Sequence, residues 1–304
     1  MPQPNDTLTV WARHVVELRR GLVAEKTTAT EVYHLQHGLP AMLGSMPLED
    51  LTALHVTDAM AAMLRAGRSR RTVQRSLVVL RTILERAILE GAIADSPAHG
   101  LRVPRGLGRP PRTARPLDIH QLRRVHQQQL RHSPLADVTL FLGLTGLRWS
   151  ELRELRWGDI TDDPDHPHMW ISRAMPDAAT SPRTTKSGEP RFVPLVPEAR
   201  ELLGDPGHPD ELVWTSVNGH RLYGPNFRRS VHWDETMPGQ RIHDLRHSFA
   251  VMSLAAGLDM KSVQAWLGHS DIRLTADLYG RFRTLDADMA AQDRLTQALS
   301  TTHA

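Results

Sequence analysis

Cysteine is absent from the 304 residues, and with it go disulfides, thiolate metal sites and cysteine nucleophiles. Lysine is nearly absent: Lys26, Lys186 and Lys261 are the only three. Almost all the positive charge is therefore arginine, and neutrality is reached only when Lys and Tyr titrate near pH ~10. This explains why a net charge of only +3 accompanies a pI near 9.7. Tyrosine is equally sparse, at Tyr33, Tyr223 and Tyr279. Long apolar runs are missing too. The most apolar stretches, Val138–Leu147 and Ser248–Leu258, fall short of the ~18 residues that a membrane span needs, so no membrane partner is expected. Met1-Pro-Gln-Pro-Asn-Asp has no basic region followed by an apolar stretch, so no secretory signal is read and a cytoplasmic protein is expected. No internal repeat or low-complexity tract is present.

What the chain does contain is a length close to twice the ~150 residues of an average domain, which predicts two domains. Its charge is unevenly spread. Residues 61–115 hold twelve arginines against Glu85, Glu90 and Asp95, an excess of nine positive charges, while the rest of the chain is net acidic. Such asymmetry predicts a polyanion bound mainly on one part of the molecule, although a solvated basic helix and tail would give the same count.

The first hundred residues read as helices. Apolar spacing recurs in Leu8/Trp11/Val15/Leu18, Val32/Leu35/Leu39/Met42, Val56/Met60/Met63/Leu64 and Val73/Leu77/Leu80/Leu84/Ile88, with Thr27, Thr57 and Ser69 as N-caps. Gly91 and Pro97 close the last helix. Arg102–Pro116 combines Pro, Gly and Arg with little apolar content, the composition of an extended surface linker. Beyond it, Leu117–Leu130, Ala136–Leu144 and Ser150–Leu155 read as helices. His168–Ser172 and Arg191–Val196 read as β-strands flanking a turn at Lys186-Ser-Gly-Glu-Pro. Gly257 and Gly268 look like helix C-caps, Ser270 like the next N-cap, and Leu285–Leu299 like a final amphipathic helix. The fold class is mainly α with a small β-sheet or hairpin.

Four segments concentrate chemistry. In Thr145-Gly-Leu-Arg-Trp-Ser-Glu-Leu a Gly turn delivers Arg148 to a helix start after an apolar helix; alone, an arginine beside Glu151 at i+3 is more often a surface ion pair than a catalyst. In His243-Asp-Leu-Arg-His-Ser-Phe-Ala, His243 and Arg246 share a helix face. The rival use of His243 and His247 as zinc ligands meets Asp244 where a metalloprotease helix needs glutamate. Leu267-Gly-His-Ser places His269 after a Gly cap, and Leu278-Tyr-Gly-Arg-Phe contains Tyr279. A His at a C-cap commonly complements the dipole, and a Tyr after a Leu is commonly core.

Taken together and in this order, with Thr185-Lys-Ser-Gly-Glu-Pro-Arg-Phe-Val-Pro-Leu between them, these segments resemble the tyrosine recombinase (phage integrase) family. Arg148, Lys186, His243, Arg246, His269 and Tyr279 fall at the family's six active-site positions. The first part of the chain also looks like its core-binding domain, through Arg71-Thr-Val-Gln-Arg and Asp95-Ser-Pro-Ala. The resemblance implies a helical, SAM-like core-binding domain (1–101), a basic interdomain linker (102–116) and a mixed α/β catalytic domain (117–304), clamping duplex DNA between them. It implies site-specific cutting and rejoining of DNA through a 3′-phosphotyrosyl bond to Tyr279, with Arg148 and Arg246 on the phosphate, Lys186 as general acid, His243 assisting proton transfer and His269 hydrogen-bonding the phosphate. It further implies double-stranded DNA as partner, a homotetramer on DNA but a monomer or weak oligomer when free, and neither metal nor cofactor. DNA contacts are expected from Arg68, Arg70, Arg71, Arg75, Arg105, Arg109, Arg112 and Arg115. Met175–Arg183 lengthens the stretch before Lys186, leaving Arg183 and Arg191 as alternative cations. The Tyr279-Gly-Arg-Phe context looks closer to integrases of phages or conjugative elements, yet the chain starts almost directly with the core-binding part, without the arm-binding domain many phage integrases carry. A type IB topoisomerase-like activity and a catalytically silent DNA-binding relative are the alternatives.

Overall fold

The computed structural model describes residues 1–304 other than 24, 111, 113, 164, 185–189, 270, 272–279, 281–288, 290–291, 294–295 and 297–304. It divides into two compact units, Met1–Thr113 and Ala114–Ala304. The segment expected to form a C-terminal helix, Leu285–Leu299, falls largely outside the described residues, as does Ser270.

The first unit is helical: α1 (Leu8–Arg19), α2 (Glu25–His37), α3 (Leu39–Met42), α4 (Ala53–Arg65) and α5 (Arg70–Leu89). Its core gathers the apolar stripes, with Leu8, Trp11, Val56, Met60, Val73, Leu80 and Leu84 all buried. The stripe through Val32 and Met42 is broken rather than continuous. At Gly38 the chain leaves α2, and the Leu39 amide donates to Ser76 Oγ of α5 at 2.6 Å, so a tertiary hydrogen bond ends the helix where periodicity would continue it. Two expected N-caps also shift. Thr27 lies inside α2, and α4 is capped by Thr52, which accepts from the His55 amide while His55 Nδ1 accepts in return. Thr57 lies within α4 and donates to the Ala53 carbonyl at 2.8 Å. Ser69 does cap α5, accepting the Thr72 amide at 3.1 Å.

No helix or extended strand forms among the described residues of 102–116, and Arg102, Arg105, Arg109, Arg112 and Arg115 face solvent. The start of the segment is held by α5. Arg81 donates to the Ala98 and Leu101 carbonyls, Arg70 to the Val103 carbonyl, and the Arg109 amide to the Arg68 carbonyl.

The second unit opens with α6 (Ile119–Leu130) and α7 (Ala136–Thr145). Every residue of α7 is apolar or small apart from Asp137 and two threonines, and accordingly nine of its ten are buried. Then come the four-residue α8 (Trp149–Leu152), β1 (Ile160–Thr161), β2 (His168–Ile171), β3 (Arg173–Ala174), β4 (Arg183–Thr184) and β5 (Arg191–Pro194). Helix α8 stops short of Leu155 because Arg153 and Glu154 turn inward to buried polar contacts. The two expected strands do pair: β2 and β5 run antiparallel with Trp170 opposite Phe192, and β1 joins them in a three-stranded sheet. Their connection is more than a turn, since β3 and β4 form a second, two-stranded ladder. Helices α9 (Pro197–Glu201), α10 (Gly224–Ser230), α11 (Trp233–Thr236), α12 (Ile242–Ala255) and α13 (Met260–Leu267) complete the unit. The core joins Phe141 and Leu142 of α7 to Met169 and Val193 of the sheet and to Trp233 and Leu245.

Candidate active site

Arg148 is placed by the end of α7. Gly146 closes that helix in the left-handed region, with φ of 66°, and a Cβ there would stand 2.4 Å from Phe249 Cδ1, so both backbone and packing demand glycine. Two residues later Arg148 becomes the N-cap of α8. Its amide and its guanidinium both donate to Glu151, at 2.8 and 2.6 Å, and Nη2 donates to the Gly268 carbonyl at 2.9 Å.

Arg246 rises from α12 into the same place. It is among the most deeply buried large side chains of the protein, and it donates to the Gly146 carbonyl at 2.7 Å and to the Leu267 carbonyl. Its Nε is buried with no hydrogen-bond acceptor. Burial, then the charge of Arg148 and that of Arg191, disfavour the cationic form, with Glu151 the opposing influence. Because a guanidinium does not give up its proton in a protein, that strain becomes attraction for an incoming anion.

Glu151 is buried and receives a second arginine. Arg191, at the start of β5, donates Nη1 and Nη2 to its two carboxylate oxygens at 2.9 and 2.6 Å, and Nε to the Trp266 carbonyl at 2.7 Å. Burial pushes the Glu151 carboxyl up, but the hydrogen bond and charge of Arg191 and the charges of Arg148 and Arg246 overturn this and hold it below the usual carboxylate range. Three guanidinium groups against one carboxylate leave two positive charges.

His243 and His269 border the cluster. Part of His243 faces solvent, yet the protein packed behind its ring, then the charges of His247, Arg246 and Arg148, bring its pKa down to about 4. Burial, then Arg246 and Arg148, bring His269 down to about 3. Gln264 fixes the backbone of His269 from both sides, accepting its amide at 3.2 Å through the main chain and donating Nε2 to its carbonyl at 2.9 Å. Both rings are neutral at pH 7 and offer one donor and one acceptor nitrogen each.

These values fix a pH dependence. Histidines with folded pKa values below the ordinary 6.5 contribute stability that is complete above pH ~6.5 and is lost as pH falls toward 4 and 3. Stability against urea unfolding should therefore fall steadily from pH 6.5 to 4, and a His243→Gln/His269→Gln variant should show a shallower slope. Identical slopes would contradict the placement of these rings.

The structure thus brings together four expected residues, Arg148, His243, Arg246 and His269. Lys186 and Tyr279 lie outside the described residues. Arg191, an alternative to Lys186 by sequence, is engaged with Glu151, and Arg183 lies exposed at the start of β4. His243 and His247 meet edge to face with ring centroids 5.1 Å apart, and no group of three potential metal ligands occurs among the described residues. In the first unit, Arg68 precedes α5, Arg70 and Arg71 open its first turn, where the helix dipole disfavours cations, and Arg75 lies one turn on.

The Glu151–Arg191 pair was half legible beforehand. Strand alternation puts Arg191 on the face of buried Val193, opposite the exposed Phe192, and a cation on a buried face requires a buried anion. Asp177, in the lengthened stretch before Lys186, had no such signal. It accepts from Trp149 Nε1 at 3.1 Å and from the Gly224 amide at 3.1 Å, joining α8 to α10.

Residues 115–284 match the model of the phage integrase family. The chain is 32% identical over 239 residues to the tyrosine recombinase XerC of Pseudomonas fluorescens, covering 74% of this chain and 75% of that protein. Among solved structures, the fold is similar to the Tn1549 transposon integrase in complex with a circular intermediate DNA, with a TM-score of 0.75, 20% identity and coverage of 95% of this chain and 99% of that one. It is similar also to a lambda integrase tetramer bound to a Holliday junction, with a TM-score of 0.72, 18% identity and coverage of 93% and 80%.

Proposed function

The chain belongs to the phage integrase family of tyrosine recombinases and is a site-specific DNA recombinase, and from that premise we propose how its own residues divide the chemistry. The observation that carries the reading is the cluster of Arg148 and Arg246 with a surplus of two positive charges and two neutral histidines at its edge. A phosphodiester carries one negative charge, and its pentacoordinate transition state approaches two. A site already at plus two, with its donors fixed by backbone carbonyls, favours the transition state over the ground state. Guanidinium groups suit this task because planar donor pairs match non-bridging oxygens.

Tyr279 attacks the scissile phosphorus and becomes bonded to the 3′-phosphate, and the 5′-oxygen leaves as a hydroxyl. The phosphoester energy is conserved in the protein–DNA bond and is recovered on rejoining. Lys186 supplies the leaving proton, a role for which an ammonium is fitted and a guanidinium is not. His243 assists proton transfer at the nucleophile, and His269 donates to a phosphate oxygen. Trapping a covalent protein–DNA adduct on duplexes taken from the DNA adjoining the gene tests the scheme.

Residues 1–101 serve as the core-binding domain, 102–116 as the linker and 117–304 as the catalytic domain. Support for DNA contact by Arg68, Arg70, Arg71 and Arg75 comes from their place at the start of α5. Cations gathered there without acidic residues in the first turn are unfavourable until an anion arrives. Removing Arg105, Arg109, Arg112 and Arg115 together should flatten the slope of log K against log salt by up to ~3–4 units, at ~0.9 per phosphate neutralised. An unchanged slope would show that this segment does not follow the DNA backbone. On DNA the active assembly is a homotetramer, as in the lambda integrase structure, while the free protein is a monomer or weak oligomer.

A further inference from the structure

We propose that Arg191 is a positioning residue for cleavage: it occupies both oxygens of Glu151 so that Glu151 can orient Arg148 without drawing its charge away from the phosphate. The inference rests on the reading that Arg148 and Arg246 hold that phosphate, and it concerns a residue that does not touch DNA. All three guanidinium nitrogens of Arg191 already donate within the protein, two to Glu151 and one to Trp266, and its side chain is largely covered.

Arg191 and its two partners belong to three parts of the site. Glu151 sits in α8 beside Arg148, Trp266 in the last turn of α13 before His269, and Arg191 itself at the head of β5. One planar group thereby fixes the spacing between the arginine and histidine parts of the cluster. The fit is close: a Cβ at Gly268 would come within 3.0 Å of Arg191 Cδ, at a residue whose carbonyl also holds Arg148. Glycine there, which the left-handed φ of 61° already favours, also makes room for the clamp.

Charge gives the functional consequence. Glu151 without Arg191 would be a buried carboxylate with Arg148 as its remaining hydrogen-bonded cation, and the pair would neutralise itself. The site would then offer one surplus charge in place of two. Arg191 absorbs the carboxylate, and Arg148 keeps its geometry and its charge.

The test uses the full chain, a nicked duplex from the DNA adjoining the gene, single-turnover cleavage, DNA affinity and thermal melting. Arg191→Met should slow cleavage on the order of 100-fold, the scale of losing one preorganised donor, with DNA affinity changed only a few-fold. Glu151→Gln/Arg191→Met, in which the uncompensated carboxylate is gone, should recover at least tenfold of that loss. A double variant as slow as Arg191→Met would mean that Arg191 acts directly on substrate and would overturn the proposal. So would wild-type cleavage by folded Arg191→Met, which would leave it a purely structural pair. Should Arg191→Met not fold, the double variant decides alone: a rate within about tenfold of wild type supports the clamp, and a slower one overturns it. Arg148→Met cleaving at the wild-type rate would refute the phosphate reading itself, and the clamp with it.

Discussion

Tyr279→Phe should bind DNA with unchanged affinity and form no covalent adduct at all. The expectation rests on elimination as well as on resemblance, because only three tyrosines exist. Tyr33 lies in α2 of the first unit, and Tyr223 is the N-cap of α10, near Arg153. Removing one hydroxyl removes the nucleophile, so the effect is on chemistry and not on binding, and the loss is complete rather than graded. Denaturing gels of protein incubated with a nicked duplex, compared with filter binding of the same DNA, separate the two. An adduct formed by Tyr279→Phe would transfer the role to another residue and retire the assignment.

Glu151→Ala should be strongly destabilising to the second unit, by about 3–5 kcal/mol, the cost of leaving a buried charge without its partner. The alanine would leave Arg191 buried against the Trp266 carbonyl and Arg148 without its brace. Exposed pairs on the same protein, such as Arg228–Asp234, should matter far less, at about 0–1 kcal/mol. Glu151→Gln keeps one acceptor oxygen and should fall between. Urea unfolding of the three variants at pH 7 ranks them. A Glu151→Ala loss below about 1 kcal/mol would show that the second unit relaxes to rehydrate its arginines, and the buried network would lose its structural role.

By itself the sequence determined what depends on a few neighbouring residues or on their order. The stripes around Trp11, Met60 and Leu80 specified helices because side chains three and four apart share a helical face. The largely apolar 136–144 specified a helix, and the β-prone run at 191–196 a strand. The ordered series from Arg148 to Tyr279 pointed to the family, and cysteine's absence removed whole classes of chemistry. Tertiary structure decided what depends on partners far along the chain. The helix break at Gly38 needs Ser76, thirty-seven residues from the amide it receives. The candidate site needs Arg246 to reach carbonyls 100 and 21 residues away, and Arg148 to reach one 120 away. Nothing local to Glu151 announces that it is buried or that it holds two arginines. The second of these follows from the register of β5: a slip of one residue would turn Arg191 outward and Phe192 inward, leaving the carboxylate without its clamp.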